Sequence, residues 1–144
     1  MILDDVKKRL GNYAEVFFPL KEVDGIFTQV TGRNGVWELA ISVEPTDELA
    51  RLIRLNVKVL KPDIQKLQIP ETVVFQWVNS KNSDLNFGRY FFVEGMLQFE
   101  EALPVSNTGV CWEVFDEFLR IALFSVDDAI AQFMGVAERL KGGE

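Results

Sequence analysis

The stretch from Ile53 to Val59 sets the tightest limit on what this chain can fold into. Ile53, Leu55, Val57 and Val59 alternate with Arg54, Asn56 and Lys58. A period of two sends successive side chains to opposite faces of an extended strand, so this strand has one apolar side and one polar side. The segment before it behaves alike: Trp37, Leu39, Ile41 and Val43 alternate with Val36, Glu38, Ala40 and Ser42. Upstream, Ile26 to Thr31 reads as a partner strand, and Thr31-Gly32-Arg33-Asn34-Gly35 supplies the glycines of a tight turn between the two. Three strands of a sheet with one buried side are therefore expected.

The flanking segments have helical periods. Leu3, Val6, Leu10, Tyr13, Ala14 and Phe17 recur at the spacing of an amphipathic helix that Pro19 closes. Pro62 and Pro70 bracket a connection, and Pro70 is placed to begin a short helix through Glu71, Val74, Trp77 and Val78, followed by a polar loop over Asn79 to Asp84. Phe87 to Val93 and Met96 to Leu103 read as two strands joined at Glu94-Gly95, a second hairpin ending at Pro104. From Val110 the pattern is helical, with a break expected at Ser125, because Ser125 and Asp128 have capping-box spacing. The last helix places Val126, Ile130, Phe133, Ala137 and Leu140 on one side. The predicted fold is α+β, an antiparallel sheet of about five strands with helices packed on it, in the order α-β-β-β-α-β-β-α(α).

A length of 144 residues, 48% of them hydrophobic and 26% charged, suits one domain, residues 1–144, that folds unaided. The net charge of −7 argues against a nucleic-acid partner, because phosphate binding needs clustered cations. It argues equally against an anionic membrane surface, and no uncharged stretch is long enough to span a bilayer. Asp4 and Asp5 stand where a secretory signal would be basic, so a cytoplasmic location is expected. There is no histidine and only one cysteine, which removes the commonest general base, the usual zinc sets and the Ser-His and Cys-His nucleophiles. No cofactor, metal or catalytic residue is expected.

Other polar features have structural readings. Glu100 and Glu101 point to opposite faces of a regular strand and cannot converge on one ligand. Asp127 and Asp128 suit the first turn of the last helix. Cys111 is expected to be buried packing. Arg51, Arg54, Lys58 and Lys61 form a solvated basic strand face opposite Glu38.

One excess remains. In the helix from Val110, Glu113, Asp116, Glu117 and Arg120 share a narrow polar stripe, while Trp112, Phe115, Leu119, Ala122 and Val126 form one apolar stripe and Val114, Phe118 and Ile121 a second. Either the last helix covers the second stripe within the subunit, or another chain does. Val74, Trp77, Val78, Trp112, Phe115 and Phe118 are the candidate dimer or partner surface.

Leu85-Asn86-Phe87-Gly88-Arg89-Tyr90-Phe91-Phe92, followed by Gly95, Phe99 and Leu103-Pro104-Val105, resembles the strand pair of the YbjN-like family of bacterial sensory-transduction regulators, similar in fold to type III secretion chaperones. The likeness covers about Leu49 to Leu123. Gly88 and Gly95 carry it as structural positions, Gly88 as a place of close backbone approach. The resemblance implies a bacterial, non-enzymatic homodimer that binds other proteins in chaperone-like fashion. The alternative is a small-molecule sensor domain with an aromatic pocket.

Overall fold

The structure, a computed structural model, describes residues 2–45, 50–85, 88–106 and 109–142. Helix α1 (Ile2–Leu10) is followed by strands β1 (Phe18–Pro19), β2 (Gly25–Thr31), β3 (Val36–Pro45) and β4 (Ala50–Lys61). A 3-10 turn (Ile64–Leu67) leads into helix α2 (Glu71–Asp84). Strands β5 (Arg89–Val93) and β6 (Met96–Ser106) form a hairpin, and helix α3 (Trp112–Gly142) follows. The strands make one six-stranded antiparallel sheet in the order β1-β2-β3-β4-β6-β5.

The expected alternation decides which face is covered. Register places Leu39 beside Val57 and Val57 beside Phe99, so Trp37, Leu39 and Ile41, Ile53, Leu55 and Val57, and Leu97 and Phe99 share one buried face. All three helices contribute buried side chains to that core, among them Val6 and Leu10, Val74 and Val78, and Phe115, Leu119, Val126, Ile130 and Phe133. The opposite face is polar. Glu38 sits across from Lys58, Arg54 pairs with Glu44 and Glu100, and Arg89 approaches Glu100 at 3.6 Å. The cations of this face are thus matched by carboxylates of neighbouring strands.

Helix α3 runs unbroken through Ser125 for 31 residues, about 46 Å at 1.5 Å per residue. The expected break is absent because the buried positions 115, 119, 122, 126, 130 and 133 keep phase across it, and a break would take half of them off the sheet. Asp127 and Asp128 are accordingly not first-turn residues. Asp127 receives the β2–β3 turn, accepting from the Asn34 backbone N–H at 2.9 Å and from Asn34 Nδ2, and Asp128 accepts from Gln132 Nε2 at 2.7 Å.

Other boundaries differ for local reasons. Helix α1 ends at Leu10 rather than Phe17, where Gly11 and Asn12 favour a turn, and the segment beyond is tied to the sheet by the Thr28 hydroxyl, which donates to the Val16 carbonyl at 2.6 Å. Pro19 then joins the short β1, the strand that raises the count above five. Asn79 to Asp84 is the end of α2, not a loop. Its polar side chains are used: Asn82 Nδ2 donates to the Tyr90 carbonyl and its Oδ1 accepts from the Tyr90 N–H, both at 2.7 Å. Phe87, the expected start of the next strand, lies outside the described residues, and β5 begins at Arg89.

Tyr90 links four elements. Its ring lies 4.9 Å from those of Trp77 and Phe99, and its hydroxyl donates to the Ser125 carbonyl in mid-α3 at 2.8 Å. Because Asn82 takes both backbone groups of Tyr90, these point away from β6, and Tyr90 and Phe99 form a non-hydrogen-bonded pair with close side chains.

The β5–β6 turn is two residues, Glu94 at φ 53° and Gly95 at φ 77°, the left-handed pair of a type I′ hairpin. Gly88, just before β5, has φ 73°, and a Cβ there would lie 2.5 Å from the Phe99 ring and 2.9 Å from the Glu100 carbonyl oxygen. Replacing Gly88 by Val should therefore lower the melting temperature markedly, with a loss of at least about 2 kcal/mol from strain and overpacking. An unchanged melting temperature would show that the position tolerates a side chain.

Candidate functional site

Strand β6 is longer than its neighbour β5, and that mismatch makes the site. Arg89, the first residue of β5, pairs with Glu100, so on that side no strand among the described residues pairs with Glu101 to Val105, while β4 pairs with all of them on the other. The strand continues past Pro104, where the hairpin was expected to end. Since Phe99 directs its backbone groups toward β4, those of Ala102 and Pro104 point to the open side, where a proline's missing N–H breaks no ladder.

Helix α3 runs above this open edge. Val114, Phe118 and Ile121 face Leu103 and Pro104 across a cleft of about 320 Å³, with Gly88 and Glu101 also in its lining. An adjoining pit of about 220 Å³ shares Leu103, Pro104 and Val114 and runs on to Ser106 and Cys111. The two form one apolar trough along the edge of β6, large enough for a ligand of modest size.

Glu101 is the anomaly in it. Leu97, Phe99 and Glu101 share the buried face of β6, and Glu101 is only 4% exposed. Its Oε2 has no hydrogen-bond partner among the described residues. The nearby cations do not serve it: Arg54 and Arg89 lie on the opposite face and bind the neighbouring Glu100. Burial pushes the Glu101 carboxyl up to about 7. Glu117, on the cleft's rim, is exposed and held below the usual carboxylate range by its hydrogen bond to Arg120 at 2.6 Å.

A larger depression, about 500 Å³, lies elsewhere, between residues 20–24 and 43–45, beside Lys21, Glu22, Asp24 and Glu44. It is open, and neither of the buried unpartnered side-chain atoms among the described residues, Trp37 Nε1 and Glu101 Oε2, belongs to it. The trough is the better candidate.

Of the six residues expected on a dimer or partner surface, Val74, Val78 and Phe115 are buried in the core and can meet no other chain. Trp77 is wedged 4.7 Å from the Phe133 ring and donates from Nε1 to Gln132 at 2.8 Å. Trp112 packs on Phe115 beneath the Arg9 guanidinium. Only Phe118 lies in the trough. The second apolar stripe read from the sequence, Val114, Phe118 and Ile121, is the trough's wall, and the two aliphatic residues are the exposed ones. Cys111 is exposed at the trough's end, not buried packing. Glu100 and Glu101 do point to opposite faces as expected, and the place of Glu101 two residues after Phe99 in an alternating strand puts it on the buried one.

The chain matches no model of a known protein family and no curated protein. Among the described residues no helix is long and apolar enough to cross a membrane.

The Glu101 carboxyl yields a pH prediction with a definite sign. Its folded pKa lies above the unfolded value of 4.5, so its neutral form stabilises the fold below about pH 4.5 and that contribution is lost as pH rises through about 7. Glu117, Glu100, Arg54, Arg89 and Tyr90 are the ionisable groups around it. Glu101→Gln should therefore raise stability at pH 8 by on the order of 2–3 kcal/mol and leave it unchanged near pH 4. Denaturant titrations at the two pH values check this, and an equal effect at both would contradict it.

Proposed function

We propose that this domain binds, without catalysis, an extended segment of another protein in the trough between β6 and α3, in the manner of a chaperone-like regulator. The observation that carries the reading is the coincidence of an apolar wall, Val114, Phe118 and Ile121, with a strand edge whose outward groups at Ala102 and Pro104 no described strand engages. An extended peptide uses both at once, adding backbone hydrogen bonds to the edge and placing alternate side chains on the wall. Among the described residues no second acid–base group converges on Glu101, since Glu117 is committed to Arg120. The element order agrees with the resemblance to YbjN-like proteins, and a bacterial, cytoplasmic setting belongs to the same proposal.

Self-association is the second part of this reading, and its surface moves. With Val74 and Val78 inside, the apolar group left on the α2–β5 corner is Phe75, half-exposed and edge-on to Phe92 at 6.0 Å, beside exposed Val93. A small apolar molecule in the 320 Å³ cleft is the alternative, though among the described residues Phe118 is the only aromatic one lining it.

Two measurements test the reading. Used as bait, the double variant Val114→Lys, Ile121→Lys should lose the partner that wild type retains while its melting temperature stays within a few degrees, both sites being exposed. Equal capture by both baits would defeat the trough as the binding surface. In sedimentation, Phe75→Asp should convert two-chain species to one-chain species, and a wild type that stays monomeric at high micromolar concentration would remove the dimer.

A further inference from the structure

We propose that Glu101 makes the trough selective for a basic residue, accepting a charge-assisted hydrogen bond from a lysine or arginine side chain of the bound segment. The inference rests on the trough being a peptide site, and it names what that site reads.

A carboxylate that is 4% exposed with an unpartnered oxygen destabilises a fold, and a glutamine or an aliphatic residue would pack there at less cost. Its neighbours show that lack of cations is not the reason. Arg54 and Arg89 are close along the sheet, yet adjacent strand residues face opposite sides, so they neutralise Glu100 and leave Glu101 to the helix-covered side. The position opposite Glu101, in continuation of the Arg89–Glu100 pair, is Gly88, where a Cβ would lie 2.7 Å from Glu101 Cγ, so the way to Glu101 is from the cleft that both residues line. A buried acceptor in the lining of an apolar cleft fits a donor that arrives on an apolar partner. The charge agrees, because Glu117 stands on the rim and the whole chain carries −7.

Strand geometry then sets the pattern. Beyond Gly88, the edge from Ala102 to Val105 spans roughly 10 Å at about 3.4 Å per residue, which an extended segment of about four residues matches. Side chains of an added strand face α3 at every second position. The residue beside Leu103 is basic, its long side chain reaching back along the cleft to Glu101, and that beside Val105 is apolar and rests on Val114. A segment with one Lys or Arg and an apolar residue two positions away is the expected ligand.

The test uses the full chain and a library of end-capped hexapeptides randomised at every position, with binding read by a fluorophore on Cys111, the single cysteine, which is exposed at the trough's end. Wild type should enrich Lys or Arg at least about fivefold at one position, with an apolar residue two positions from it. Glu101→Gln, which removes a buried charge without changing shape, should abolish the basic preference and keep the apolar one. Apolar enrichment with no basic preference in wild type, or a basic preference that survives Glu101→Gln, would overturn the role of Glu101 and leave the peptide trough standing. No enrichment, or enrichment unaffected by Val114→Lys, Ile121→Lys, would overturn the peptide trough and this inference with it. Binding of n-hexylamine as tight as that of the selected peptides would assign the site to a small amine, and a wild-type dimer dissociated by Ile121→Lys would assign it to a second copy. Either result overturns the proposal.

Discussion

The domain depends on a sheet that can be buried on one side only. Strands β3 and β4 commit Trp37, Leu39, Ile41, Ile53, Leu55 and Val57 to one face, and each is almost wholly buried. A side chain of this kind gains about 1.5–3 kcal/mol on burial. Slipping β4 by one residue would exchange them for Arg54, Asn56 and Lys58, so the register has no close competitor. Everything else answers the need to cover that face: α3 lies on it unbroken, with α1 and α2 completing the cover.

Covering a sheet with one long helix leaves a remainder. Helix α3 turns Phe115, Leu119 and Val126 inward, while Val114 and Ile121 stay half in solvent because β5 is too short to extend the sheet beneath them. The trough is thus a geometric residue of strand lengths, and Glu101 is the polar group that the same mismatch leaves without a neighbour. Tyr90, one residue from the open end of β5, fastens that strand by joining Asn82, Phe99 and Ser125.

Much of this was readable from residue order, and the failures are instructive. Period-two segments such as Ile53 to Val59 needed no context, and neither did the left-handed Glu94-Gly95 turn. Ser125 with Asp128 looked like a helix start because capping spacing is local, whereas the apolar phase that overrides it runs along the whole of α3. Asn79 to Asp84 looked like a loop because its partner, the edge of β5, is remote in the chain. Of the candidate surface, Phe118 lines the cleft, but Val74, Val78 and Phe115 are buried, since an apolar stripe in sequence does not say which of two sides meets the sheet. The side of the sheet that Glu101 takes was legible by parity, two residues after Phe99, but its burial under α3 depends on a helix remote in the chain.

The Asn82 carboxamide has a further consequence. By donating to the carbonyl of Tyr90 and accepting from its N–H, it occupies the place that the backbone of another strand would take beside β5. A sheet edge left bare is a template for unrelated chains and the usual start of edge-to-edge aggregation. The same device covers the β5 edge at Tyr90 without a proline or an inward charge. A single amide side chain there imitates the main chain.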